Sequence, residues 1–212
     1  MKKICVIGAG AFGHSLTLML HRYHSFDFVL YDINEEWIKH LQDEKKHPVF
    51  HKDQEIESHV SATTNLKEAV EGADMVVFAV PAQFMRSACE NAKKYVGDDV
   101  LLLSLAKGIE VSSKLVMSDV IREYFPMNPL AALGGGMLAL DLVHDLPLGA
   151  TVGCTHREFH DDLATLFSGT CLHVDVISDV VGVEYAGAFK NVLAIGAGYC
   201  DGKGFGGSTK AF

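Results

Sequence analysis

Two stretches of this 212-residue chain combine residue types that can do chemistry. The first is Gly8-Ala9-Gly10-Ala11-Phe12-Gly13, a G-x-G-x-x-G run between the apolar Ile4-Cys5-Val6-Ile7 and an apolar-patterned helix. Gly8 can take a tight turn, Gly10 lets a pyrophosphate approach the backbone, and Gly13 lets helix and strand pack closely. The unpaired N–H groups and the positive dipole end of the helix then face that phosphate. A second apolar strand, Phe28-Val29-Leu30-Tyr31, ends at Asp32, about twenty residues beyond the last glycine, where a dinucleotide site carries its acid. A carboxylate there accepts from ribose hydroxyls and repels a 2′-phosphate, so NAD is expected in preference to NADP.

The second stretch is Val181 to Gly198, where Lys190 and Asn191 stand among apolar and small residues. A helix buried on most sides would push the Lys190 pKa toward neutrality, and the amine could then exchange a proton with a substrate oxygen. A lysine snorkelling out of an interface fits the same pattern. Glu184 lies two turns before Asn191, about seven residues, so the two can share a face. Lys107, in Ala106-Lys107-Gly108-Ile109-Glu110, follows the apolar run Val100 to Leu105. There it either meets an anionic ligand or is merely solvated.

These groups need a frame, and the order of elements supplies one. Strands are expected at 4–7, 28–31, 60–63, 74–81, 100–105, 130–133, 150–154 and 171–176. Helices are expected after Gly13, from Asn34 to about Lys46, from Asn65 to near Gly72, after Pro81, from Ser112 or Ser113 to about Phe125, from Arg157 to Phe167, and from Val181. The run Asp74 to Val80 is apolar from Met75 onward and ends at Pro81, as a strand buried on both faces of a parallel sheet should. Phe84, just beyond, lies either against a cofactor or in the core. Gly134-Gly135-Gly136 marks close approach to a ligand or a loose turn. The segment His47 to His59 is polar and histidine-rich, fits no standard ligand spacing, and is expected as a surface loop. His156 and His160 have no third ligand beside them, so no metal is expected.

The fold class is therefore α/β. A Rossmann-like, doubly wound, mostly parallel sheet should occupy 1–177, and 178–212 should open an all-helical substrate domain. Hydrophobic residues make up 49% of the chain, enough for a sizeable core, and the formal net charge of −9 argues against nucleic acid as a partner. Five cysteines without a C-x-x-C pair suit reduced thiols in the cytoplasm. No uninterrupted apolar run reaches membrane-spanning length and Met1-Lys2-Lys3 runs straight into a strand, so neither membrane insertion nor a removable signal is expected.

Together the residues resemble those of the NAD(P)-dependent glycerol-3-phosphate dehydrogenases. The resemblance is carried by the glycine run, Ala79-Val80-Pro81-Ala82-Gln83-Phe84, Lys107-Gly108-Ile109-Glu110, Gly182-Val183-Glu184, Ala188-Phe189-Lys190-Asn191-Val192, Asp201-Gly202 and Thr209-Lys210-Ala211. It implies hydride transfer between a nicotinamide and C2 of dihydroxyacetone phosphate or sn-glycerol 3-phosphate, a small phosphorylated metabolite. Lys190 is then the proton donor and acceptor, Lys107 contacts substrate and cofactor, and Asn191 binds substrate. Gly135 and Ala139 line the substrate and cofactor sites, and Ala11, Phe12 and Phe84 touch the dinucleotide.

Two departures stand out. The family usually reads G-P-N or G-P-T where this sequence has Gly135-Gly136-Met137, which exchanges a hydrogen-bonding side chain for a thioether. Family members also continue, after Thr209-Lys210-Ala211, into helices that carry an acidic partner for the lysine and an Arg-Asn pair for the phosphate; this sequence stops at Phe212. The apolar surface from Val192 to Ala197 would then need cover, from a homodimer or a complementary carboxyl-terminal chain. Two rival functions follow: a remnant that holds NAD without turnover, and a related reductase for another small oxo acid.

Overall fold

The computed structural model describes residues 1–211. Its strands are β1 (Lys3–Ile7), β2 (Asp27–Tyr31), β3 (Val60–Thr63), β4 (Met75–Phe78), β5 (Leu101–Ser104), β6 (Leu130–Gly135), β7 (Leu148–Cys154) and β8 (Leu172–Ile177). They form one sheet in the order β3-β2-β1-β4-β5-β6-β7-β8. Alternation decides what each strand covers. In β1, Ile4 and Val6 face one cluster while Cys5 and Ile7 face the other, and all four are buried, as befits a strand covered on both faces.

The helices supply that cover. They are α1 (Ala11–Tyr23), α2 (Glu35–Asp43), α3 (Leu66–Val70), α4 (Met85–Ala92), α5 (Met117–Arg122), α6 (Ala139–Val143), α7 (His160–Phe167), α8 (Val180–Gly202) and α9 (Gly207–Ala211). Side chains of α1, α2, α6 and α7 fill one face of the sheet, and those of α3, α4 and α5 fill the other. This is the doubly wound, Rossmann-like arrangement expected, with the all-helical region beginning at α8.

Strand direction then controls where α8 goes. β1 to β6 are parallel, so their carboxyl ends share one edge, where open α/β sheets bind ligands. β7 runs antiparallel to β6, with Ala132 opposite Gly153 and Gly134 opposite Thr151, and β8 is parallel to β7. The sheet chain therefore leaves β8 at the far edge. α8 has to cross back over the sheet, and it does so against Ala132 through Val180 and Val183. A Cβ on Gly153 would lie 2.6 Å from the Val180 backbone, and one on Gly134 would lie 2.7 Å from the Val183 side chain, so the helix lies directly on the strands. From Val180 to Lys190 it rises about 15 Å, which returns it to the ligand edge.

Several local expectations are corrected. α2 ends at Asp43, not near Lys46, because Lys45 takes a positive φ of 58° and Lys46 bridges to Glu55. Neither Ser112 nor Ser113 caps α5. Ser113 Oγ donates to Glu110, Lys114 turns at φ 64°, and α5 starts only at Met117. The segment 47–59 is not wholly a surface loop: His47 and Ile56 are buried. His47 Nδ1 accepts from the backbone N–H groups of Val49 and Phe50, 3.1 Å each, and its ring packs on Trp37. Satisfying one ring nitrogen locally lowers the cost of burial.

The largest correction concerns α8, which is not buried on most sides. Val192, Leu193 and Ile195 are 61–74% exposed. It is also, by length and composition alone, long and apolar enough to cross a bilayer, contrary to the expectation that no segment would be. Its first turns are nonetheless docked on the sheet.

Candidate dinucleotide and substrate crevice

The glycine run does three separate things. Gly8 sits at φ +111°, donates to Tyr31 O at 2.8 Å, and would place a Cβ 2.7 Å from Ala79 O. Only glycine takes that backbone at that distance without strain. A Cβ on Gly13 would come within 2.1 Å of Gly8 O, so its bareness lets α1 press against the loop. Gly10 is different: nothing lies within 4 Å of where its Cβ would be. It caps α1 with no side-chain hydrogen bond, and no acid stands in the first turn. The amides of the first turn, with Ala11 and Phe12, therefore face open space with the helix dipole uncompensated, a cradle that suits a pyrophosphate.

Asp32 follows β2 and does more than its spacing suggested. Its Oδ2 accepts from Ala9 N at 2.8 Å and its Oδ1 from Asn34 N at 3.0 Å. The same carboxylate that faces the crevice also fixes the glycine loop. The crevice beside it, about 260 Å³, is lined by Gly8, Asp32, Ile33, Pro81 and Phe84 among others. Phe84 is 62% exposed and Ile33 83%, so Phe84 is not core; the two apolar side chains border a space suited to a flat base.

A second crevice adjoins Gly10, Ala11, Phe12 and Lys107. Lys107 Nζ donates to Gly135 O at 3.0 Å and lies 5.4 Å from the centre of the Phe12 ring. Its stem is against α8, 3.7 Å from where a Gly187 Cβ would be. A third crevice is lined by Gly135, Gly136, Gly187 and Lys190. Lys107 thus bridges the dinucleotide crevice and the one that holds Lys190. Burial, and then the charge of Lys190, pull the Lys107 pKa below the usual lysine range. The ion pairs made by other lysines, Lys46–Glu55 and Lys210–Asp201, lie elsewhere. Two cations line adjoining crevices on either side of Gly135, an arrangement that suits an anion.

The loop carrying Lys107 is held from behind. Arg86 on α4 donates bidentately to Glu110, at 2.9 and 2.8 Å, and also pairs with Glu123. Those bonds hold the Glu110 carboxyl down at about 2. Gln83 Nε2 adds a bond of 2.9 Å to Ile109 O. Sequence reasoning missed this bracket, although Arg86 and Glu110 were visible as charges flanking the lysine loop.

Other expected site residues fall differently. Lys190 is only half-buried, so this chain does not supply the greasy enclosure assumed for it, and Asn191 is exposed on the next face. Ala139 begins α6 and lines none of the three crevices. Met137 is 3% exposed and packs in the core, so its thioether does not face the pocket. Glu184 turns inward, where its carboxylate accepts from Ser118 N at 2.7 Å and from Ser118 Oγ. Burial raises its pKa above the usual carboxylate range despite those bonds. His160 Nε2 lies 2.7 Å from Cys154 O, and the five cysteines are free thiols.

Comparison with known proteins agrees with this fold. Residues 3–160 match the model for the NAD-dependent glycerol-3-phosphate dehydrogenase N-terminus, and 179–212 match its C-terminus. A glycerol-3-phosphate dehydrogenase [NAD(P)+] of Clostridium perfringens is 35% identical over all of this chain and 63% of its own length. One from a Thermoanaerobacter species is 36% identical over 99% and 62%. The chain therefore spans a little over three-fifths of the curated relatives it matches. Among solved structures, the Saccharomyces cerevisiae glycerol-3-phosphate dehydrogenase superposes with a TM-score of 0.87 at 26% identity, covering 99% of this chain and 66% of that one. The Coxiella burnetii enzyme superposes at 0.90 with 24% identity, over 99% and 64%, which speaks for the fold. With the amino-terminal model alone covering most of its length, the chain belongs to the NAD-dependent glycerol-3-phosphate dehydrogenase family.

Proposed function

We propose that this chain interconverts dihydroxyacetone phosphate and sn-glycerol 3-phosphate using NAD. The observation that carries the reading is the meeting of Lys107, Gly135 and Lys190 beside the open amides of α1. The residues suit a dinucleotide: Gly10 leaves room for its phosphates, the first turn of α1 offers unpaired donors, and Asp32 keeps an oxygen surface for ribose hydroxyls. Bound there, the nicotinamide supplies or accepts the hydride. Lys107 and Lys190 form a cationic pocket that attracts a phosphate monoester and polarises a neighbouring carbonyl. In the reducing direction Lys190 gives a proton to the C2 oxygen as it gains negative charge; in the oxidising direction it takes that proton back. Asn191 is the proposed further contact to substrate.

We also assign 1–177 to the dinucleotide-binding domain and 178–212 to the start of the substrate domain, and the free thiols suit a cytoplasmic setting. One observation favours a second reading, NAD binding without turnover: Lys190 is half-exposed and the helix beyond it is open to water. Mixing the purified chain with NADH and dihydroxyacetone phosphate while following nicotinamide absorbance separates the two. Oxidation of NADH supports the enzyme; NADH binding without oxidation supports the second reading.

A further inference from the structure

Three metal-ligating side chains that the proposed reaction does not use come together behind α1. His21 on α1, Glu57, and His59 at the entry to β3 each offer a donor atom, and these atoms lie within 4.8 Å of one another. His21 Nδ1 is 3.8 Å from Glu57 Oε1, and His59 Nδ1 is 3.7 Å from Glu57 Oε2. The two rings meet edge to face with centroids 5.6 Å apart. Neither nitrogen of His21 nor Nε2 of His59 has a hydrogen-bond partner, although all three are buried. Buried polar atoms are nearly always paired, so His21 Nδ1, buried, orphaned and facing the carboxylate, calls for a partner.

The spacing says what that partner is. Separations of 3.7 and 3.8 Å are too long for hydrogen bonds. Nitrogen and oxygen ligands at about 2.1 Å around one tetrahedral ion stand about 3.4 Å apart, which these side chains reach with small rotations. Two imidazoles and one carboxylate suit zinc and its neighbours, whereas magnesium and calcium require oxygen. The Glu57 side chain is 61% exposed, which leaves a way in and an open position for water. The cluster is remote from the chemistry: His21 follows the nucleotide end of α1 by about 15 Å of helix.

We infer that His21, Glu57 and His59 form a binding site for a divalent transition ion of the zinc class, which clips the 47–59 segment to α1. That segment also carries His47 and His51. Their ring centroids lie 5.2 and 5.9 Å from that of His14, the His47 ring tilted and the His51 ring stacked, and His51 Nε2 is 2.8 Å from Ser15 Oγ. The clip would brace the support behind the glycine loop without touching substrate.

Calorimetric titration of the purified chain with zinc chloride tests this, with magnesium chloride as control. One equivalent of zinc should bind, magnesium should not, and Glu57→Gln and His59→Gln should each weaken zinc at least tenfold. Zinc should raise the urea midpoint of the wild type and leave that of Glu57→Gln unchanged. Because Glu57 is exposed, its variant keeps the core intact even where His59→Gln perturbs it. No zinc binding, or binding that survives Glu57→Gln, overturns the site.

Discussion

Glu184 of α8 receives the backbone N–H of Ser118, on α5, at 2.7 Å and the hydroxyl of the same residue on its other oxygen. This is a buried tie between the helix that carries Lys190 and the nucleotide-binding sheet. Removing the carboxylate strands a buried N–H. Glu184→Ala should therefore cost about 1.5–3 kcal/mol, read as a lower urea midpoint, while Glu184→Gln, which keeps an acceptor, should cost less. Equal losses in the two variants would count against the tie.

Lys190→Ala should lower turnover of dihydroxyacetone phosphate by about 10²–10⁴-fold, the range for loss of a general acid, with NADH affinity nearly unchanged. Lys107→Ala should raise KM as well, because its ammonium reaches both crevices. Fluorescence titration with NADH alongside steady-state kinetics checks both.

Asp32 holds the loop at Ala9 as well as facing the crevice. Asp32→Ala should weaken NADH binding and reduce the preference for NADH over NADPH at least tenfold, about 1.4 kcal/mol. An unchanged preference would leave the carboxylate with only its structural job.

Two single-methyl changes in the glycine run should behave oppositely. Gly13→Ala drives a Cβ toward Gly8 O and should destabilise the fold by about 1–3 kcal/mol. Gly10→Ala meets no protein atom, so stability should stay within about 1 kcal/mol while NADH affinity falls. Thermal melts and NADH titration of the two variants decide it.

Acid should undo the histidine support behind the loop. Burial first, then neighbouring histidines, lowers His14 to about 3; burial lowers His47 to about 4. Both start from 6.5 in the unfolded chain. The unfolded state therefore binds more protons below that value. The contribution is complete above pH 6.5 and is lost as pH falls toward 4, by about 1.4 kcal/mol per histidine per unit. Urea unfolding at pH 7, 6 and 5 should show the slope, and His14→Leu should flatten it.

How much of this could be read beforehand depended on how local each signal was. The glycine run and Asp32 are set by short spacings on one strand-turn-helix-strand unit, so residue order alone located them. Phe84 could not be placed, because an aromatic after Pro81 fits a core and a crevice equally. The Glu184–Ser118 tie joins positions 66 apart, and nothing local in either announces the other. The reversal at β7 was equally silent, since an apolar strand reads the same in both directions. Lys190 was found as a lone cation among small residues, but its surroundings depend on what packs over α8, which its own helix cannot specify.

The bare positions under α8 have a further consequence. Because Gly134 and Gly153 leave no room beneath Val183 and Val180, the height of the helix above the strands is set by side chains that are not there. A methyl group added at either would act as a shim, lifting a stiff rod that carries the Lys190 amine near its middle. The reach of that amine is thus tuned from about 10 to 15 Å away, at places with no chemistry of their own.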